Sequence, residues 1–362
     1  MSNFNISHNN FRISTNNESK HMKALIAESK NFKILKSPSY NYIFNYENGN
    51  FVRWGKTTED DPQYSMYGPE IMDIEISTIC KKACKWCYKS NTAKGTYMSF
   101  AKFTKLFAKF PKTLTQIAFG IGDIEGNPDM WAIMEYCRNN KIIPNVTING
   151  EGITDAIAKR LVKYCGAIAI SNYDDKCYDV VKKLTDLGHT QINIHALLCE
   201  ETYNKCFKLI DESVTDERLK KLNAMVFLWL KPKGKRNKFN AINSLLKYKA
   251  LVDYAFSKKA RIGFDSCSAN AFLKTIKERS DYKQIEMMVE PCESTLFSYY
   301  INVDGIGYPC SFTEGEKKYK GVNVLRCKDF MKDVWYAEET VAFREANCKN
   351  CRECQAFDLR VK

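Results

Sequence analysis

Seven short apolar runs recur through the middle of the chain, and they limit its fold more than any other feature. They cover residues 72–77, 116–120, 145–148, 167–171, 191–197, 224–230 and 261–265. Each reads as a strand, and helical patterns lie between them. In residues 154–164, Ile157, Leu161 and Tyr164 fall on one face behind a Thr/Asp start. Residues 178–187 end at Gly188, a suitable C′ position, and residues 242–256 form another long amphipathic stretch. Six or seven strands that each return through a helix imply parallel βα units. The expected fold is therefore α/β, a partial (βα)6 TIM-like barrel. Such a fold keeps its chemistry on the loops that follow the strands.

The loop after the first strand carries Cys80, Cys84 and Cys87 in the stretch IEISTICKKACKWCY, a C-x3-C-x2-C pattern. Three thiolates on one loop suffice for three irons of a cubic 4Fe–4S cluster, with the fourth iron open to a ligand. Structural zinc is the competing reading, but zinc sites usually pair C-x2-C knuckles, and Cys80 to Cys84 has the wrong spacing. The pattern, with Trp86 before the last cysteine, resembles the signature of the radical S-adenosylmethionine (radical SAM) superfamily. The resemblance implies that the open iron binds the amino and carboxylate groups of S-adenosylmethionine. It also implies reductive cleavage to methionine and a 5′-deoxyadenosyl radical, with a low-potential flavodoxin or ferredoxin as electron donor.

The loops after the other strands gather small and polar residues. Gly120, Gly122 and Asp123 resemble the family's Gly-Gly-Glu, with a shorter carboxylate, an intruding Ile121, and Glu125 as an alternative acid. Asn149 and Gly150 resemble its Thr-Asn-Gly, and Ser171 and Asn172 its polar contacts to the S-adenosylmethionine carboxylate or ribose. Each of these also suits a turn or a helix cap. Lys231–Arg236 resembles the family's Lys-Pro-x-Gly-Arg run, with Lys235 in the Arg position and Arg236 after it. His195 lies inside a strand and is expected either in the core or facing the barrel.

A second cysteine group follows. Cys292 and Cys310 flank a strand-turn-strand around Asp304-Gly305, and Cys348, Cys351 and Cys354 form C-x2-C-x2-C. The first pair resembles the opening of SPASM domains, and the shortened pattern resembles the truncated twitch form. That implies one auxiliary 4Fe–4S cluster on Cys292, Cys310 and two of Cys348, Cys351 and Cys354, within a small cysteine-rich α+β domain. A four-cysteine zinc site is the competing reading. Cys267, at the end of the last strand, is expected near the active site, and Cys327 is a lesser ligand candidate. Cys137, Cys165, Cys177, Cys199 and Cys206 read as plain core thiols.

The expected domains are an N-terminal extension with a β-hairpin (1–70), a radical SAM core (71–265) and the auxiliary domain (266–362). Residues 1–21 read as loosely attached, and residues 22–31 as a short helix. Residues 40–46 and 51–54 flank Asn48-Gly49 as a hairpin. No apolar run reaches the ~18 residues of a membrane span, and the polar start lacks a signal-peptide core. Fifteen cysteines then suit metal ligation in a reducing cytoplasm. The net charge of +13, from 55 Lys+Arg against 42 Asp+Glu, would fall to about +10 with both clusters bound. The leading expectation is a radical SAM enzyme that modifies a peptide or protein. A nucleotide, nucleic-acid base or sugar substrate is the second reading, favoured by the charge. A non-catalytic zinc or nucleic-acid-binding protein is the third. The sequence singles out no catalytic acid or base.

Overall fold

A computed structural model describes residues 12–16 and 24–357 of the 362-residue chain. The front of the chain forms a five-stranded antiparallel sheet in sequential order. Its strands are β1 (Arg12–Asn16), β2 (Ala24–Glu28), β3 (Phe32–Lys36), β4 (Asn41–Asn45) and β5 (Phe51–Trp54). The hairpin expected around Asn48-Gly49 is present as β4–β5, with Gly49 at φ +74. The helix expected over 22–31 is not: β2 pairs with β3, and Ala24 and Ile26 turn into a core. Arg12–Asn16 is paired to β2 and so is not loosely attached. The rest of that expectation falls on residues 1–11 and 17–21, outside the described residues.

The main sheet has ten strands in the order β12-β11-β10-β9-β8-β7-β6-β13-β14-β15. Strands β6 (Ile71–Glu75), β7 (Gln116–Gly120), β8 (Ile143–Ile148), β9 (Ile168–Ser171), β10 (Ile192–Leu198), β11 (Ala224–Trp229) and β12 (Ile262–Phe264) run parallel. The parallel run therefore has seven strands from the core, one more than the six named for the barrel. It does not close, because β12 and β15 are free edges. Strand β13 (Ser298–Ile301) pairs in parallel with β6, and β14 (Ile306–Tyr308) and β15 (Val322–Asn323) continue antiparallel. The C-terminal part thus extends the core's own sheet.

The helices cover the outside. They are α1 (Phe100–Phe107), α2 (Met130–Asn139), α3 (Asp155–Tyr164), α4 (Lys176–Asp186), α5 (Tyr203–Thr215), α6 (Leu245–Ser257), α7 (Ala269–Ile276), α8 (Tyr282–Glu286) and α9 (Glu338–Lys349). Thr154 caps α3 through its hydroxyl, and Gly188 ends α4 at φ +91. None of the described helices is long and apolar enough to cross a membrane.

The period-two alternation of the strands divides the molecule into a core and a cavity. Met72 and Ile74 of β6, Ile192, Ile194 and Ala196 of β10, and Met225 and Phe227 of β11 are buried against the helices. The alternate positions hold small or polar side chains: Asp73 and Glu75, Asn145 and Thr147, Asn193 and His195. These cannot fill the barrel interior, so a space remains there.

The front sheet docks at the beginnings of the parallel strands, away from the cysteine loop. Lys33 Nζ donates to Leu114 O (2.8 Å) and Tyr42 Oη to Thr113 O (2.7 Å). Arg53 pairs with Glu70 (2.9 Å) and Glu290 (3.2 Å), and its guanidinium stacks 3.4 Å from the Phe297 ring centre. Removing one member of a buried pair strands the other charge. Arg53→Ala is expected to cost about 3 kcal/mol, read as a lower urea midpoint. Val52→Ala, on the exposed face of the same strand, is expected to change stability by less than about 0.5 kcal/mol.

Candidate active site

The cysteine loop begins where β6 ends and is clamped at both ends. Thr78 N–H donates to Thr96 O and Cys80 N–H to Thr92 O, both at 2.9 Å. Two close backbone approaches fix it further. A Cβ on Gly122 would lie 2.3 Å from Ile79 O and 2.5 Å from Cys80 Cβ. A Cβ on Gly234, which sits at φ +107, would lie 2.3 Å from Cys87 O. Only glycine fits either position.

Cys80, Cys84 and Cys87 all line one cavity of about 740 Å³ inside the open barrel. The cavity also takes in Gly120, Gly122, Asn149, Ser171 and Asn172. Burial pushes the Cys84 thiol up, the Tyr173 hydroxyl hydrogen-bonded to it works the other way, and Cys80 and Cys87 add to the rise. Trp86 packs its ring against Phe239 (5.0 Å) and Tyr173 (6.0 Å). Among the described residues, no three His, Cys, Asp or Glu side chains close in on a single-ion site.

Two residues matched to cofactor contacts in the sequence are hydrogen-bonded to the cysteine loop. Asp123 lies outside the cavity lining. It accepts from Lys81 N–H (2.8 Å) and from Asn149 Nδ2 (2.9 Å), which ties three loops together. Arg236 is also off the cavity wall. It donates to Asn91 O (2.8 Å), Ser90 O (3.2 Å) and Cys84 O (3.5 Å), and so holds the far side of the cysteine loop. Lys233 donates to Phe312 O (2.9 Å) and Glu314 O (2.6 Å) and pairs with Glu316. The basic run is thus largely engaged by the protein itself.

The cavity cations are paired as well. Lys89 bridges Glu75 and Glu314 and donates to the Tyr300 hydroxyl (2.8 Å). Lys231 pairs with Asp265 and lies 5.2 Å from the Phe312 ring centre. His195 faces the cavity, and burial lowers it to about 4 against the pull of Asp265, so it is neutral near neutral pH. Asp73 also faces the cavity, removed from bulk water, and burial raises its carboxyl to about 6. The sequence reading passed over Asp73 and Glu75. The signal was there in IMDIE, where two acids occupy alternate positions of an otherwise apolar strand.

All fifteen cysteines are free of disulfides. Cys137, Cys165, Cys177, Cys199 and Cys206 are buried, and Cys327 lies near the Lys109 and Asp333 side chains. Cys292 is buried, Cys310 and Cys354 are half-buried, and Cys348 and Cys351 are exposed. Cys267 does line the cavity.

No protein-family model matches the chain, and no curated protein matches it. Solved structures do. Streptococcus suis SuiB bound to S-adenosylmethionine aligns at 18% identity over 77% of this chain and 68% of that one, with a TM-score of 0.60. SuiB bound to its precursor peptide SuiA aligns at 15% identity over 84% and 87%, with a TM-score of 0.63. Native anSMEcpe with bound AdoMet and Cp18Cys peptide aligns at 18% identity over 79% and 86%, with a TM-score of 0.56. The chain has the fold of the radical SAM enzymes, the family its cysteine loop resembles.

Proposed function

We propose that the chain is a radical SAM enzyme that modifies a peptide or protein. The observation that carries this reading is the placement of Cys80, Cys84 and Cys87. Three thiols of one loop line one cavity, at the ends of parallel strands, in a fold whose neighbours were solved with S-adenosylmethionine. The donor set fits a 4Fe–4S cluster. A cubic cluster takes one thiolate per iron and spreads its ligands wider than a single ion does. The loop is also held from outside by Gly122, Gly234, Asp123 and Arg236, so its thiols are positioned by the protein.

When bound, such a cluster supplies the electron that cleaves S-adenosylmethionine to methionine and a hydrogen-abstracting 5′-deoxyadenosyl radical. The chain's own residues shape the space around that event. Gly120 and Gly122 line the cavity, as do Asn149, Ser171 and Asn172, which bring polar groups to it. Asp123 and Arg236 act as positioning residues. A flavodoxin or ferredoxin of low potential would serve as electron donor.

Charge inside the cavity supports the peptide reading over a phosphate-bearing substrate. Lys89 and Lys231 are both matched by carboxylates. Asp73 faces the same space and has no ion-pair partner within 4.0 Å among the described residues. A neutral or cationic group suits this surface better than an anion. SuiB and anSMEcpe were each solved with a peptide.

The chemistry is tested by anaerobic reconstitution, then dithionite and S-adenosylmethionine with detection of 5′-deoxyadenosine. The parent is expected to bind iron and sulfide and to form 5′-deoxyadenosine, and Cys84→Ser to bring it to background. A protein with zinc alone and no turnover would overturn the reading. Gly234→Ala forces a side chain into a left-handed position at a cost of about 1–3 kcal/mol. It is expected to lower iron loading, measured per chain.

Asp73 gives a pH signature. Its folded carboxyl titrates near 6, above the ordinary value of about 4. The folded state therefore holds this proton more tightly. The resulting stability is complete below about pH 4 and is lost as pH rises through 6. Asp73→Asn is expected to melt higher than the parent at neutral pH, with the difference vanishing in acid. An equal gain at both extremes would sink the assignment.

A further inference from the structure

Among the described residues, three carboxylates line the cavity, and two of them are met by a lysine. Glu75 pairs with Lys89 (3.2 Å) and accepts from the Val303 amide (3.4 Å). Asp265 pairs with Lys231 and accepts from the Ser268 hydroxyl. Asp73 has neither an ion-pair nor a hydrogen-bonding partner among the described residues. A carboxylate withdrawn from bulk water is costly to leave unmatched. We infer that Asp73 is a substrate subsite that receives the cationic side chain of a lysine or arginine residue of the peptide. This rests on the reading of the cavity as the substrate space of a peptide-modifying enzyme.

The strand register leaves room beside Asp73. It sits in the middle of β6 between Met72 and Ile74, which are wholly buried, yet Asp73 itself is exposed. The space it is exposed to is the cavity, since the same carboxyl is raised to about 6 by its removal from bulk water. Its register partner on β7 is Ala118, and the next residue across, on β8, is Asn145. The Asn145 amide is already engaged, by Gln116 Oε1 (3.0 Å) and the Ala167 N–H (2.8 Å). On the other flank stands Tyr300 of β13, whose hydroxyl donates to Glu314 (3.0 Å) and accepts from Lys89 (2.8 Å). Gly120, Ala167 and Ala169 also line the cavity, so small residues lead away from Asp73 on the β7 side.

Charge and depth together select the guest. Asp73, Glu75 and Asp265 against Lys89 and Lys231 leave one negative charge on the cavity wall, and His195 is neutral near neutral pH. Neither lysine is spare: Lys89 serves Glu75 and Glu314, and Lys231 serves Asp265. An anion would meet repulsion here, and a neutral group would leave the carboxylate unmatched. Asp73 lies two residues before Glu75 on the same strand, one layer further from the cysteine loop. A group that reaches it from the loop end needs length. Lysine and arginine carry their charge on a long apolar stem, which suits a wall of alanines.

The test measures binding to the reconstituted protein with S-adenosylmethionine present. The probes are n-butylammonium and n-propylguanidinium, the side chains of lysine and arginine, with 1-butanol and butyrate as neutral and anionic counterparts. At neutral pH at least one cation is expected to bind saturably by calorimetry, more tightly than 1-butanol and far more tightly than butyrate. The tighter of the two cations identifies the residue. Asp73→Asn is expected to weaken that cation at least about tenfold and to leave 1-butanol unchanged. Melting at neutral pH checks that the variant is folded, and Asp73→Ser replaces it if it is not. No saturable cation binding to the parent overturns the proposal. So does equal cation affinity in the folded variant, or butyrate binding as tight as the cation's. A parent that forms 5′-deoxyadenosine but binds neither cation loses the subsite and keeps the chemistry. A parent that binds a cation through Asp73 but forms no 5′-deoxyadenosine keeps the cation site and loses the chemistry.

Discussion

Backbone packed directly on backbone holds the cysteine loop, and the geometry of the site depends on that contact. Gly122 comes from the β7 loop and Gly234 from the β11 loop, and each leaves no room for a side chain against residues 79–87. Polar links complete the grip. Asp123 takes the Lys81 amide and the Asn149 side chain, and Arg236 takes three carbonyls on the other side. Hydrogen bonds with one charged partner are stronger than those between neutral groups. The loop's shape is therefore set by its neighbours before any ligand arrives. Rigid support of this kind is what a site needs when its reactive atoms must be placed to within a fraction of an ångström.

The cavity exists because alternate strand positions were given side chains too small or too polar to fill it. A barrel of this size packs solid when Val, Ile and Leu point inward. Here Asn145, Thr147, Asn193 and His195 point inward, with Asp73 and Glu75 opposite. Such groups are costly to bury without partners. Several have them: Glu75 meets Lys89, and Asn193 accepts from Asn223 (2.9 Å). The chain's net charge of +13 does not carry into this space. Its surface and its interior obey different rules, since an exposed lysine is solvated and a buried one needs a carboxylate.

The parallel strands were legible because their signal is local. Apolar runs, helix caps and Gly188 fall where sequence patterns put them, within a few residues. The first cysteine loop was legible for the same reason. What failed was non-local. Ala24–Glu28 contains good helix formers, yet it is a strand because β1 and β3 pair with it on both sides. Arg236 was matched to a cofactor position by its neighbours in sequence, and its hydrogen bonds to residues 84–91 are a non-local contact that spacing does not reveal. Cys267, expected near the active site, lines the cavity.

The way the sheet ends explains why so much of the C-terminal segment reaches inward. An open run of parallel strands leaves β12 as a free edge, and an uncovered edge exposes unpaired backbone groups. Closure by a further strand would seal the interior, whereas closure by side chains leaves it accessible. The chain takes the second route. Residues 310–316 are drawn to the β11 loop by Lys233, which donates to Phe312 O and Glu314 O, and Phe312 stacks on Tyr88 at 4.5 Å. Glu314 meets Lys89 of the cysteine loop, and Asn302 Nδ2 donates to it (2.8 Å). The segment that follows β14 therefore forms one wall of the cavity and also fixes the loop that bears Cys80, Cys84 and Cys87.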